Sequence, residues 1–338
     1  MKILFFDTTQ AFLNPGGKTV HAIKLHQELL KLGVDVEFAR WWDESQNDFD
    51  IIHFFSAANG AIINMAKKKR RKILLTHIMD FETSKSKMEM KKSIIKLRLL
   101  QMLPLSFQSR FDWFNLPFFD HIVYMHKYDL NTALKYFPKL SKNNLSVIPH
   151  AYDPKDMGIG SHVKIENVLP KKYLISCGTI CERKQSILLA KLAKSAESPI
   201  VFIGSYLDTD PYYHAFKKEI DNKYVFYLGY VDKEIKDYVE SRASGFVLLS
   251  KGESGCIAIY EAAAYKLPLL LSNLPWAWGY EDPTDLHFCD FNNEVKAVKQ
   301  LKVFFNRSKK MDHTPFAVNS WAEIANKYKH CYEEILLK

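Results

Sequence analysis

Glu253 and Glu261 stand eight positions apart in the run ESGCIAIYEAAA. SGFVLLS, ahead of them, is a short apolar run of strand type, and the loop KGESG that follows it carries Glu253. The next residues read as a helix, which sets Glu261 about two turns further on. Both acids can then face one cleft. Ile257, Ala258, Ile259, Ala262, Ala263 and Ala264 make this helix apolar nearly all round, so it should be buried. A carboxylate on such a helix is costly unless it is paired or bound to something. Two solvated glutamates are the plainer alternative.

The elements that must hold these acids can be read from hydrophobic patterning. KILFFD is a strand, and GGKTVHAIKLHQELLKLG is a helix with apolar residues at helical spacing. VDVEFAR, DIIHFFS, KILLTH, DHIVYM and LSVIPHAYD are further short strands. The alternation then restarts with KYLISCG, PIVFIGS, VFYLGYV, SGFVLLS and LPLLLSN, each followed or preceded by a helical stretch. Strands alternating with helices predict parallel sheets with right-handed crossovers. The 338 residues suit two domains, with the boundary expected in the polar stretch DPKDMGIGSHVKIENVLP.

In open α/β sheets ligands bind outside the carboxyl ends of the strands. Strand-end residues are therefore the candidates. Gly16 and Gly17 follow the first strand and open the first helix, where a backbone can approach an anion. No GxGxxG fingerprint is present, and a plain strand-to-helix turn explains them equally well. His77 ends KILLTH; His53, His126, Lys127 and His150 are weaker candidates at other strand ends.

Composition excludes several classes. Five cysteines are scattered, with no CxxC pair, so neither a disulfide framework nor a zinc site is expected. The N-terminal apolar run is short and ends at Asp7, unlike a signal peptide, and no run reaches the roughly 18 apolar residues of a membrane span. The chain reads as cytoplasmic, or as peripheral on the inner face of the cell membrane.

The stretch from Val247 to Pro275 resembles the family 4 glycosyltransferases of the GT-B fold. Their pattern is a strand, a Glu-Gly loop, seven residues, a second Glu followed by Ala, and another strand; this chain reads SKGESGCIAIYEAAAYKLPLLLSNLP. Similarity continues in VFYLGYVDKEIKDYVESRASGFVLLS, SVIPHAYDPKDM, CGTICERKQS and SWAEIANKYKHCYEEIL. Ser254 stands where the family usually has Gly, and Thr179 where it has an Arg after Gly178.

The resemblance implies two Rossmann-like, doubly wound parallel-sheet domains facing across a cleft. Residues 1–152 would form an acceptor domain, 153–320 a nucleotide-sugar domain, and 321–338 a helix returning to the first domain. It implies a retaining transfer of a hexose or N-acetylhexosamine from a UDP- or GDP-sugar to a glycan, with no metal and no cofactor. Glu253 would contact the transferred sugar and Glu261 the ribose hydroxyls. Backbone amides of Ser254, Gly255, Cys256 and Ile257 would meet the sugar and diphosphate. Gly229, Tyr230 and Val231 would lie near the base. Gly178, Arg183 and Lys184 fall in the diphosphate loop, with Arg183 replacing the missing Arg. Two adjacent cations suit a leaving diphosphate. His77 matches a family position beside the donor sugar. A catalytically silent subunit of the same fold, binding a partner enzyme or lipid, is the rival reading. An epimerase or phosphorylase on this fold is a third.

The charge has an address. Residues 67–98 hold twelve Lys or Arg and three Asp or Glu, so this window carries all of the chain's net charge of +9. The following segment, through residue 118, is rich in Met, Leu, Phe and Trp. Apolar bulk mixed with cations suits an anionic membrane surface and a lipid-linked acceptor, as in cell-surface polysaccharide or glycolipid synthesis. On a helical wheel, however, the basic and apolar residues do not separate. A packed helix with a solvated basic face remains open. Nucleic acid has no motif to support it.

Overall fold

The computed structural model describes residues 1–7, 16–40, 42–58, 60–83, 85–104, 107, 112–153, 168–280 and 286–338, with only the backbone at residues 80, 81, 112 and 113. The expected boundary stretch, residues 153–170, lies outside the described residues except at 153 and 168–170. The chain divides into two compact units, one formed by Met1–Ala151 with Asn319–Lys338, the other by Tyr152–Val318.

Among the described residues, the first unit holds one six-stranded parallel sheet: β1 (Lys2–Phe6), β2 (Asp35–Phe38), β3 (Ile51–Phe54), β4 (Lys72–His77), β5 (His121–Tyr124) and β6 (Leu145–Val147), in the order β2-β1-β3-β4-β5-β6. Helices α1 (Gly17–Lys31), α2 (Gly60–Lys68), α3 (Lys87–Leu100) and α4 (Lys127–Tyr136) connect the strands. Two apolar layers flank the sheet. One gathers Leu25 and Leu29 of α1; the other gathers Ile63 of α2, Met90 and Leu97 of α3, and Ala133 of α4.

The second unit's sheet comprises β7 (Leu174–Cys177), β8 (Ile200–Ile203), β9 (Val225–Tyr227), β10 (Gly245–Leu248), β11 (Leu269–Ser272) and β12 (Leu286–Cys289). Its order is β12-β11-β10-β7-β8-β9, all parallel. Every residue of IVFI, LISC, GFVL and LLLS is buried, as expected for strands covered on both faces. The covering helices are α5 (Ser186–Ser195), α6 (Pro211–Lys217), α7 (Lys233–Arg242), α8 (Ile257–Ala264) and α9 (Glu294–Arg307). Strand order reverses between β7 and β10, the place where doubly wound sheets open a crevice. β12 and α9 have no counterpart in the sequence reading.

The last helix, α10 (Trp321–Leu337), packs in the first unit. Ser320 and Glu323 close a capping box that starts it. Its buried residues Trp321, Ile324, Ala325, Tyr328, Tyr332 and Ile335 recur at three- and four-residue steps and join the α1 side of the core.

Candidate active site

The loops after β7 and β10 meet because their strands are neighbours at the reversal point. They are tied by backbone: Lys251 N donates to Arg183 O at 2.8 Å. Arg183 Nη1 donates to Gly252 O at 2.7 Å. Glu253 is 5% exposed, and one of its oxygens, Oε1, gathers three donors. They are Ser250 Oγ at 2.5 Å, Lys184 Nζ at 2.7 Å and Arg183 Nη1 at 2.9 Å. Burial opposes the charge on Glu253, but the two cations outweigh it and hold its carboxyl below the ordinary range. Burial likewise opposes the ammonium of Lys184, yet Cys256 and Glu253 raise its pKa above the ordinary lysine value. Both groups are therefore ionised. The structure puts Arg183 and Lys184 on the same carboxylate, so Thr179 does not leave this corner without a guanidinium. Thr179 itself bonds the Ser205 hydroxyl at 3.0 Å.

Helix α8 begins beside this cluster. Cys256 holds its N-cap position, and Lys184 Nζ lies 3.6 Å from Cys256 Sγ. Burial pushes the Cys256 thiol up to about 11, so it is neutral at physiological pH. The first amides of α8, near Ser254, Gly255, Cys256 and Ile257, thus lie close to two cations. A helix start of this kind favours an anion.

Glu261 sits on α8 with its side chain 13% exposed, bonded by Lys236 Nζ of α7 at 2.5 Å. Lys236 also lies 4.0 Å from Glu240, which is wholly buried. Cys177, at the end of β7, donates to Glu240 Oε1 at 3.2 Å, and Glu240 Oε2 has no partner among the described residues. Burial raises Glu240 to about 8. The buried helix does carry an acid, and its cost is met by a lysine. The sequence reading missed Lys236, Glu240 and Ser250. Lys236 and Glu240 are one helical turn apart, and that spacing was the available signal.

Glycines open the ends of the neighbouring strands. Gly178 N bonds Ile203 O at 2.8 Å, and Gly204 N bonds Gly229 O at 2.9 Å. A Cβ on Gly204, whose φ is +154°, would lie 2.0 Å from Gly178 O, so no other residue fits there. Tyr230 is exposed and Val231 half-buried just beyond.

The first-unit candidates scatter. Gly16 holds the N-cap of α1, and Gly17 begins the helix. His77 ends β4, is buried, and burial lowers its pKa to about 4. His126 caps α4 by accepting from Tyr128 N, and Lys127 is exposed on that helix's first turn. His53 and His150 are core groups. His53 bonds the Tyr332 hydroxyl and Thr76 Oγ1, each at 2.7 Å, while His150 bonds His21 at 3.0 Å. The C-terminal helix covers His53, and His21 of α1 meets His150, which strand-end position could not foretell. Among the described residues no group of three His, Cys, Asp or Glu side chains is arranged to hold a metal ion.

Residues 161–310 match the model of the family described as glycosyl transferases group 1. No curated protein matches the chain. Sucrose-phosphate synthase from Thermosynechococcus elongatus shares the fold with a TM-score of 0.72 at 12% identity, covering 100% of both chains. Anabaena Alr3699/HepE, solved in complex with UDP and glucose, gives 0.66 at 12% identity, over 99% of this chain and 98% of that one. The N-terminal domain of Candida albicans trehalose-6-phosphate phosphatase gives 0.63 at 10% identity, over 100% and 93%. The fold is thus GT-B, with two Rossmann-like domains, and the match to the group 1 glycosyltransferase model falls within the second unit.

Proposed function

We propose that this chain, a glycosyltransferase by the domain at residues 161–310, moves a hexose or N-acetylhexosamine from a UDP- or GDP-sugar to a glycan acceptor with retention at the anomeric carbon. The observation that carries the proposal is the buried Glu253 held by Lys184 and Arg183 beside the start of α8. A nucleoside diphosphate leaving group needs its developing charge neutralised, and two cations with a row of helix amides do that. In this reading Glu253 orients the sugar, and the leaving phosphate takes the acceptor's proton in a front-side displacement. Glu261 accepts from the ribose hydroxyls, with Lys236 holding its carboxylate in place. Gly178 lets the backbone come close to the diphosphate. Gly229, Tyr230 and Val231 border the base, and His77 the donor sugar.

Residues 1–152 would take the acceptor, 153–320 the nucleotide sugar, and 321–338 the returning helix. The acceptor would be lipid-linked, as in cell-surface polysaccharide or glycolipid synthesis, with residues 85–118 meeting an anionic membrane from the cytoplasmic side. The UDP and UDP-glucose complexes of the Anabaena protein make a UDP-sugar the first donor to assay.

The test is donor hydrolysis. The wild-type chain is expected to release free nucleotide from one nucleotide sugar, and Glu261→Ala to lose this through weaker donor binding. Equal release by both proteins would sink the ribose assignment. A covalent glycosyl adduct trapped on Glu253 would overturn the front-side displacement.

A further inference from the structure

Helix α3 has two apolar faces, and only one is used by the fold. Met90 and Leu97 point into the core, with Ile94 packed against it. On the opposite side, Met88, Ile95 and Leu99 are 68%, 59% and 61% exposed, and Met102, in the turn just past the helix end, is 82% exposed. These four are seven, four and three positions apart. At about 100° per residue the three helical ones fall within roughly 40° of arc, a ridge about 16 Å long that Met102 follows in sequence. Lys87, Lys91 and Arg98 border the ridge on one side, and Lys92 and Lys96 on the other; all five are exposed. The one acid on the helix, Glu89, is engaged in the capping box with Ser86. Once the buried stripe is set aside, the basic and apolar residues of the outer face do separate. The wheel read from sequence had superposed two apolar faces.

An ordinary surface helix turns polar residues outward. Single exposed apolar residues are common on protein surfaces; an aligned ridge rimmed by cations marks an interaction surface. The charge decides the partner. Five cations against one acid give the helix a net charge of +4 and call for an anionic surface. A convex ridge is suited to a fluid apolar phase, with lysines reaching past it to phosphates.

We propose that α3 is an interfacial anchor that seats the first unit on an anionic lipid bilayer. The ridge of Met88, Ile95 and Leu99, with Met102 after it, enters the headgroup and acyl boundary, and Lys87, Lys91, Lys92, Lys96 and Arg98 meet lipid phosphates. The proposal deepens the lipid-linked acceptor reading and rests on it for its purpose, though not for its geometry.

The experiment is co-sedimentation of the full chain with phosphatidylglycerol–phosphatidylcholine vesicles and with pure phosphatidylcholine vesicles. Wild type is expected to bind the anionic vesicles and to lose binding as salt rises. Ile95→Ser with Leu99→Ser should weaken partitioning by about 10- to 100-fold. Lys91→Gln and Lys92→Gln should weaken it by about fivefold each. These side chains are exposed, so thermal melting and solution donor hydrolysis should stay at wild-type values. Equal binding to both vesicle types would overturn the proposal, and so would ridge variants that bind as wild type does. Capture of an acidic protein without affinity for vesicles would also overturn it. Glu261→Ala separates the two readings, since it should lose donor hydrolysis and keep vesicle binding. An inactive chain that binds anionic vesicles leaves the anchor standing, and an active chain that ignores them removes the anchor alone.

Discussion

In the first unit a set of buried histidines pairs with one another and with hydroxyls and stays neutral, whereas in the second the buried Glu253 is ionised and held by Arg183 and Lys184 where two strands end. His21, His53, His150, Thr76, Tyr328 and Tyr332 form a chain of hydrogen bonds across α1, β3, β4, the end of β6 and α10. Burial pushes His21 down to about 3, and burial with the neighbouring His21 holds His53 and His150 well below the ordinary imidazole range. Such a network ties the last helix to the sheet and has little to offer a ligand. In the second unit, Arg183, Lys184 and Glu253 sit at the strand reversal, and Lys236, Glu240 and Glu261 beside it. Networks saturated by their own members stabilise a fold; charges brought to a strand end are available to bind.

The contrast makes the two units respond to pH differently, since the second has a buried carboxyl raised to about 8, and this is the largest effect expected. The three histidines are neutral when folded and free to take a proton near 6.5 when unfolded. Their unit should hold its full stability above about pH 6.5 and lose it progressively as pH falls toward 4. Glu240 has the reverse sign. Its folded pKa is raised from 4.5 to about 8, so its contribution is full below 4.5 and declines as pH rises toward 8. Denaturant titrations at pH 4, 5.5, 7 and 8.5, resolved by segment with pulsed hydrogen exchange, should show α1 and α10 opening first in acid. Glu240→Gln should flatten the alkaline decline of the second unit alone. Parallel pH profiles in both units would break the comparison.

Removing a cation from the strand end is the next effect in size. Lys184→Ala should lower nucleotide release by about 10²- to 10³-fold, the usual cost of losing one donor to a developing anion. Arg183 remains on Glu253, so unfolding in urea should move much less than activity. A variant that unfolds readily while turning over donor normally would mean that Lys184 is structural.

Tyr332→Phe is the mirror experiment and the smallest effect. It leaves His53 Nδ1 buried without its 2.7 Å partner. The expected cost is about 1–3 kcal/mol of stability, read from the urea midpoint, with donor hydrolysis unchanged. A loss of activity at full stability would give the histidine network a role in the reaction.

Local pattern was enough for most of the fold. Apolar runs of four to six residues between amphipathic stretches mark the strands from β1 to β11, because side-chain periodicity is a local property. The spacing from Glu253 to Glu261 was legible for the same reason. The partners of these acids were harder to read. Arg183 lies 70 positions before Glu253, and they meet because β7 and β10 are adjacent, a fact of strand order. Lys236 meets Glu261 across two helices packed on one sheet. β12 went unseen because LHFC is short and its polar His287 interrupts the apolar run.

The sequence by itself determined where charge and chemistry are stored along this chain. It placed two acids around one strand-to-helix turn, two cations in another, and the whole net charge within residues 67–98. Tertiary structure alone decided which of these groups meet and which are shut away. His53 reads as a strand-end candidate, yet Tyr328 and Tyr332 of α10, arriving from the far end of the chain, pack against it, and His150 is paired with His21 of α1. Helix α3 carries two apolar stripes, and its own periodicity cannot tell which one the sheet will cover. Burial is a property of the neighbours a surface acquires, and those neighbours come from distant parts of the chain.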